Sequence, residues 1–531
     1  MSPKELFRYY IDEKPLVTCI WTAFFARILA TFLSHGIAFG YEHYIFIETA
    51  QDIINYKGSI SDYFTKEHPQ ILKNGYSIFY ILINALIIKL TELSGVFNPL
   101  SKILVIKLVH ALASLLIVYY GFCISKIVAT IRHAKIVGMM LALLWFYPYC
   151  CVRTMCENVS AIFILASIYR MAKGIGKQQN YSDDLFTGFL MGVGFSISYN
   201  SGIFIIGEII CLAIRYGIKR SIFFTTGAAI SVVLFEGVIG TLLLKQPFLQ
   251  LSEYILHLTG LKYQIGGRNS IYMYISILIL IFLLPWGMAL FYGFIKSWKK
   301  YFLLFFPVTF YIIVHYLLPT KEERFMLNIL PIYIMLCVFG WHNYRRQSKF
   351  WRIHSHIYHI AKRSFWIVNG IVLCVAFVSY IRKPQVETMI YLSNYKSDIK
   401  SILIEDRGDQ SSKPLPPFYF GKPLIQYTLN QQDEPDVSIY NCYLKKSGKR
   451  AIFTEKYFLS QPADSLPQFV IFYGDYDMPN RLSDMRKAFP ELVYEKTIAP
   501  SITDKLITYL NHSNVNVPLH IYRTREFSID N

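Results

Sequence analysis

Leu317-Leu318-Pro319-Thr320-Lys321-Glu322-Glu323-Arg324-Phe325 sets four consecutive charges between two apolar runs, 301–318 and 325–341, each long enough to enter a bilayer. Charges beside hydrocarbon are costly unless they pair with one another, cap a helix, or face water and a charged ligand. A membrane-embedded site is therefore the first expectation. The plainer alternative is a helix-start cluster, with Glu322 and Glu323 at the positive end of a helix over 325–341.

Composition supports the membrane reading. Of 531 residues, 54% are hydrophobic and 16% aromatic, which excludes an ordinary soluble globular chain. The formal charge of +18 does not indicate nucleic acid, because Lys and Arg collect in short connectors between apolar runs, as the positive-inside rule expects. Membrane lipid is the implied partner. Cys150, Cys151, Cys156, Cys211, Cys337 and Cys374 fall in apolar runs and read as small hydrophobes. Cys442 is the one cysteine in the polar tail, so no disulfide forms within it. The first run, following Lys4, Arg8 and Lys14, lacks a cleavage site and reads as a retained helix.

Apolar segments fall at about 16–34, 76–92, 104–126, 135–151, 157–172, 186–198, 201–216, 221–244, 272–295, 301–318, 325–341 and 364–381, judged by length and lack of charge. With the basic connectors cytoplasmic, Arg153, Asn200, Gly240, Lys321 and the tail all fall on the outer face. Parity then requires one segment not to cross, and 76–92 is the choice, leaving about 11 transmembrane helices. The fold class expected is an all-α polytopic membrane domain over 1–383, with a long first outer loop 36–75, followed by a small α/β extracytoplasmic domain over 384–531. In that tail, strands are expected at Ser401–Ile404, Val437–Leu444, Phe469–Tyr473 and Leu492–Lys496, with helices at Val386–Tyr395, Asn480–Phe489 and Ile502–Leu510. Gly474-Asp475 after a strand reads as structural punctuation.

The loop 36–75 carries Glu42, His43, Glu48, Asp52, Asp62, Glu67 and His68, too many acids for a mere connector. On a helix Glu42 and Glu48 would point in different directions, and His43 and Glu48 would diverge less. A carboxylate there can serve as general base toward a sugar hydroxyl; the competing reading is solvated surface acids. A second outer loop, from about Leu244 to Asn269, contains Glu253, His257, Lys262 and Arg268. In the hinge, Arg324 as a planar fork and Lys321 as a point charge can clamp a phosphodiester or pyrophosphate, with Glu322 and Glu323 orienting them. Arg153 can contact phosphate with Glu157 beside it, or the two can mark the membrane boundary. His354, His356 and His359 lie in a basic loop without nearby acids, and no metal centre is expected there. Asn511-His512-Ser513 is a glycan acceptor sequon.

Lys321-Glu322-Glu323-Arg324-Phe325 followed by Ile329-Leu330-Pro331 resembles the charged hallmark of glycosyltransferase family 22, the lipid-linked mannosyltransferases of N-glycan and GPI-anchor assembly with their bacterial relatives. The family order recurs in the acidic loop from Glu42 to Glu48, in Arg153-Thr154 with Asn158, and in Phe195–Asn200, Glu236–Gly240 and Pro247-Phe248. The tail, with Phe472–Asp475 and Met485–Pro490, is more like bacterial members. The resemblance implies a GT-C membrane fold, a polyprenyl-phosphate sugar donor, usually mannose, a glycolipid or lipid-linked glycan acceptor, and inversion at the anomeric carbon with no obligatory metal or other cofactor. It implies catalytic roles for Glu42 and Glu48, substrate or donor-phosphate contacts from His43, Arg153, Lys321, Glu322, Glu323 and Arg324, and a bacterial inner membrane in preference to the endoplasmic reticulum. The chain departs from the pattern at Tyr41, Ser198, Gly240 and Thr320. Those departures leave a catalytically silent subunit that holds a lipid-linked glycan as the alternative.

Overall fold

A computed structural model describes residues 12–38, 40–67, 71, 75–174, 180–259, 272–319, 321–395, 399–406, 415–430, 433–434, 436–438, 446–447, 466–510 and 516–524. Expectations resting on His68, Lys262, Arg268, Thr320, Cys442, 439–444, 511–513 and the side chain of Tyr41 fall outside them. The chain forms two units. One contains Met1–Leu33, Tyr56–Leu86 and Val105–Val378; the other contains Ser34–Asn55, Ile87–Leu104 and Ser379–Asn531.

The first unit is helical throughout its described residues. Its opening helix, Pro15–Leu33, buries Cys19, Ala23, Ala26, Arg27, Ala30 and Thr31 along one stripe while Trp21, Phe25, Leu29 and Phe32 stay exposed on the other. Small residues face protein and large apolar residues face outward, as expected of a helix bathed in lipid. Small residues also set the tightest packing. Helices Tyr181–Ile197 and Ile218–Val232 approach so closely that a Cβ at Gly188 would lie 1.9 Å from the Phe224 carbonyl oxygen, and one at Gly227 would lie 1.8 Å from that of Leu185. Only glycine fits at those two crossings.

Four helices among the described residues are long and apolar enough to cross a membrane, namely Pro15–Leu33, Pro99–Val128, Ile218–Leu244 and Ser355–Phe377. Several other apolar runs are interrupted. The run 272–295 divides into Met273–Leu280 and Trp286–Lys296 around Pro285, which cannot donate to a helical ladder. The run 135–151 divides into Ile131–Leu143 and Tyr147–Cys151. Backbone groups freed in hydrocarbon must find partners, and these do. Asn369, on helix Ser355–Phe377, accepts from the Trp145 backbone N–H at 2.9 Å and donates to the Leu143 carbonyl at 2.8 Å, while Trp145 Nε1 donates to the Ile281 carbonyl at 3.0 Å.

The second unit holds a six-stranded sheet: β1 (Ser401–Asp406), β2 (Ile425–Asn430), β3 (Asp436–Ser438), β4 (Phe469–Tyr473), β5 (Val493–Ile498) and β6 (Leu519–Arg523), in the spatial order β3-β2-β1-β4-β6-β5. β1 runs parallel to β2 and β4, whereas β6 is antiparallel to both β4 and β5. All five residues of β4 are buried, because alternate side chains feed two cores. Phe469, Ile471 and Tyr473 join Ile402 and Ile404 and the helix Lys383–Ser393 through Val386, Met389 and Leu392. Val470 and Phe472 join Leu403 and the helix Met478–Ala488 through Met485. The expected strands at 401–404, 469–473 and 492–496 and the three expected helices are present with small shifts of bounds, and of the strand expected over 437–444 the described residues show Asp436–Ser438; β2 and β6 were not anticipated.

Gly474 follows β4 at φ +71°, and its carbonyl accepts from Arg481 Nη1 at 3.1 Å. Arg481 is fully buried and donates through Nε to Glu405 Oε2 at 2.7 Å, so it pins helix Met478–Ala488 to the carboxyl ends of β1 and β4. Removing one member of a buried pair strands the other, at about 3–5 kcal/mol. Arg481→Met is therefore expected to make the tail much more sensitive to limited proteolysis in the full-length protein, and adding Glu405→Met is expected to restore most of the resistance.

Candidate active site

Two polar centres stand out, one in each unit. In the first unit, helix Phe302–Leu317 stops at Leu318 in an extended conformation, and the chain resumes with a 3₁₀ turn, Glu323–Asn328, before helix Leu330–Gln347 with Pro331 in its first turn. Proline is at home there, since that N–H has no helical partner. The irregular link delivers Arg324 into the protein, where it is 7% exposed. Its Nη2 donates to Tyr76 Oη at 2.6 Å and its Nε to Glu322 Oε2, with Glu157 Oε1 3.9 Å from the same nitrogen. The guanidinium also lies over the Tyr76 ring, 5.2 Å from its centroid. The Glu322 backbone N–H donates to Tyr274 Oη at 3.2 Å, and Tyr311 Oη donates to the Phe325 carbonyl at 2.6 Å. The turn is thus held at its entry and in its middle by buried tyrosines.

Around Arg324 lies a small cleft, about 40 Å³ in volume, lined also by Glu157, Ser198, Asn200, Tyr254 and His257. Tyr254 Oη donates to Asn200 Oδ1. Burial, reinforced by the negative charge of Glu157, holds the Tyr254 phenol well above its usual range, so it remains an O–H donor at any physiological pH. Ser198, where the family pattern has Arg, accepts from Asn328 Nδ2 at 3.3 Å. Gly240, the other described departure, lines a small separate cavity with Glu236 and Gln250.

The remaining hinge charges diverge. Lys321 Nζ donates to the Leu318 carbonyl at 2.9 Å, Glu323 is exposed, and neither lines the cleft. Arg153 also lies outside the lining, with its guanidinium stacked 4.6 Å from the Tyr149 ring centroid. Asn158, from the same motif, ties its own helix start by donating to the Cys150 carbonyl at 3.0 Å.

The second unit carries the acidic loop. Gly40–His43 is a helical turn, Tyr44–Glu48 is π-helical, with the Thr49 N–H donating to the Tyr44 carbonyl, and Thr49–Asn55 continues as α-helix. An i to i+5 turn brings residues five apart onto one side, which an ordinary α-turn does not. His43 Nε2 accordingly lies 3.3 Å from Glu48 Oε1. Glu48 Oε2 accepts from the Phe418 backbone N–H at 2.7 Å, and the His43 ring stacks on Tyr419 at 5.4 Å. Glu42, on the preceding turn, is 3% exposed. Burial pushes the Glu48 carboxyl well above the usual carboxylate range, opposed by the Phe418 N–H. A carboxyl with a raised folded pKa favours the fold when protonated; its contribution is complete below the unfolded pKa and fades as pH rises through the folded one. A buried His–Glu pair of this kind can hold and pass a proton.

Of the residues singled out from sequence, the structure brings Arg324 to Glu322 and His43 to Glu48 and buries Glu42. Sequence reasoning missed Tyr76, Asn200 and Tyr254 as partners and placed Glu157 beside Arg153 rather than Arg324. The available signal was polar side chains interrupting apolar sequence, which marks such positions without pairing them.

Comparison with solved structures gives the class. ArnT from Cupriavidus metallidurans in the apo state superposes with a TM-score of 0.61 at 12% identity, covering 96% of this chain and 97% of that chain. The same protein bound to undecaprenyl phosphate gives 0.62 at 11% identity, covering 96% and 98%. The Archaeoglobus fulgidus oligosaccharyltransferase in complex with Zn and sulfate gives 0.52 at 11% identity, covering 92% of this chain and 72% of that one. The fold is thus that of the GT-C glycosyltransferases. The model of the Alg9-like mannosyltransferase family matches residues 18–401, and the chain belongs to that family. It is a multi-pass membrane glycosyltransferase. No curated protein matches it in sequence. The match includes the acidic loop and the hinge; most of the sheet lies beyond it.

A lysine retains the charge of Arg324 but not the planar fork that meets Tyr76 and Glu322 together. Arg324→Lys is expected to lower sugar transfer by about a hundredfold, and Glu323→Gln by less than about twofold, as measured by rates in reconstituted membranes.

Proposed function

We propose that the protein is an inverting mannosyltransferase of a bacterial inner membrane that takes mannose from a polyprenyl-phosphate donor and adds it to a glycolipid or lipid-linked glycan. The observation that carries this reading is Arg324, a buried guanidinium on an irregular backbone link in a polar cleft. The ArnT structure with undecaprenyl phosphate supports a lipid phosphate as the ligand class for this fold.

In this reading an acceptor hydroxyl attacks the anomeric carbon of the donor, the bond from that carbon to the phosphate oxygen breaks, and polyprenyl phosphate leaves with both electrons. Arg324 neutralises the charge that develops on the departing phosphate. Glu322, half-exposed, yields its place on the guanidinium to the phosphate, while Lys321, held by the Leu318 carbonyl outside the cleft lining, takes no part in that contact. Glu42 takes the acceptor proton, and His43 with Glu48 holds the loop that presents it.

The test is transfer of radiolabelled mannose from polyprenyl-phosphate-mannose to a membrane lipid extract by the reconstituted protein. Glu42→Gln is expected to reduce the rate by about a hundredfold or more. Transfer that survives this substitution moves the base elsewhere. Donor binding without transfer by the wild-type protein would instead favour the silent, glycan-holding role.

A further inference from the structure

Glu157 opens helix Cys156–Gly174 and is 1% exposed. Only one of its oxygens is engaged with Arg324: Oε1 lies 3.9 Å from Nε. The other, Oε2, is buried without a hydrogen-bond partner, on a residue that lines the cleft. A buried carboxylate oxygen left unpaired carries a desolvation cost that a ligand donor can remove.

The charge pattern restricts that donor. Among the described residues that line it, the cleft holds two carboxylates, Glu157 and Glu322, and one guanidinium, that of Arg324. Glu322 reaches solvent and can move aside, but Glu157 cannot. A phosphate drawn to Arg324 is repelled by Glu157 at close range, so the group that meets Oε2 is a hydrogen-bond donor without negative charge, and on a sugar that donor is a hydroxyl. The rest of the lining suits such a ligand: the aromatic rings of Tyr76 and Tyr254 are apolar walls, and Asn200 and Ser198 are neutral polar groups between them.

We infer that Glu157 Oε2 accepts a hydrogen bond from a hydroxyl of the donor's sugar, so that this cleft is a carbohydrate subsite and Glu157 separates a glycosylated lipid phosphate from a bare one. The inference rests on the donor proposed above. Arg324 reads the phosphate and Glu157 reads the sugar.

The two roles are separated by binding measurements on the full-length protein in detergent, using short-chain polyprenyl-phosphate-mannose and the same polyprenyl phosphate without sugar. Wild-type protein is expected to bind the mannosylated lipid more tightly. Glu157→Ala is expected to weaken that lipid by about tenfold or more, the loss of a hydrogen bond to a charged group, while the bare lipid binds as tightly as before or more tightly, because the carboxylate that repels its phosphate is gone. Glu157→Gln, which keeps an acceptor oxygen, falls between the two and decides the matter if the alanine variant does not fold. Equal weakening of both lipids, or no weakening of either, overturns the sugar contact. Wild-type protein that binds neither lipid overturns the donor assignment and this subsite with it.

Discussion

A guanidinium buried among membrane helices is tolerable only where polar or charged groups meet it, and Arg324 is met by Tyr76, Glu322 and Glu157 from three separate parts of the chain. Much of the first unit follows from meeting that condition. The helix before it has to end, the chain has to extend through Lys321 and Glu322, and a 3₁₀ turn has to precede Pro331. Tyr274 and Tyr311 then bond the backbone of the turn itself. A regular helix through 321–328 would leave the bundle apolar and without a cleft. The irregularity is the means by which a polar site is opened within hydrocarbon, and such backbone survives at that depth only when protein groups satisfy it.

The second unit meets a similar constraint with different parts. A π-turn brings His43 to Glu48, and the backbone of Phe418 holds the far oxygen of the same carboxylate. The acidic loop is therefore anchored by a segment 370 residues away in sequence, and the sheet behind Phe418 is part of what shapes it. Arg481 and Glu405 perform the same service for the tail, as a fully buried pair that fixes a helix against two strand ends.

What could be read from the sequence was whatever a short window contains. The Lys321–Arg324 cluster between apolar runs, the density of acids from Glu42 to Glu67, and the unbroken apolar run Phe469–Tyr473 each declare themselves locally. The partners of those residues do not. Glu157 and Arg324 meet through the packing of two helices, and nothing in either stretch specifies the other. The breaks near Trp145 and Pro285 lie inside runs that read as continuous spans, because hydropathy does not register a backbone gap that Asn369 repairs from a distant helix. The proximity of His43 and Glu48 depended on a π-turn, and ordinary helical spacing sets residues five apart on diverging faces. Strand β2 was passed over although Ile425–Asn430 alternates apolar and polar residues as a half-buried strand does, and β6 is too short a run, Leu519–Arg523, to stand out.

The account stands on Arg324 as the seat of a lipid phosphate. Phosphorus NMR of a short-chain polyprenyl phosphate titrated into the detergent-solubilised protein addresses that directly. The expected result is a distinct bound-phosphate resonance that is lost in Arg324→Gln and retained when exposed Glu323 is changed to Gln. A bound resonance that persists unchanged in Arg324→Gln would contradict it.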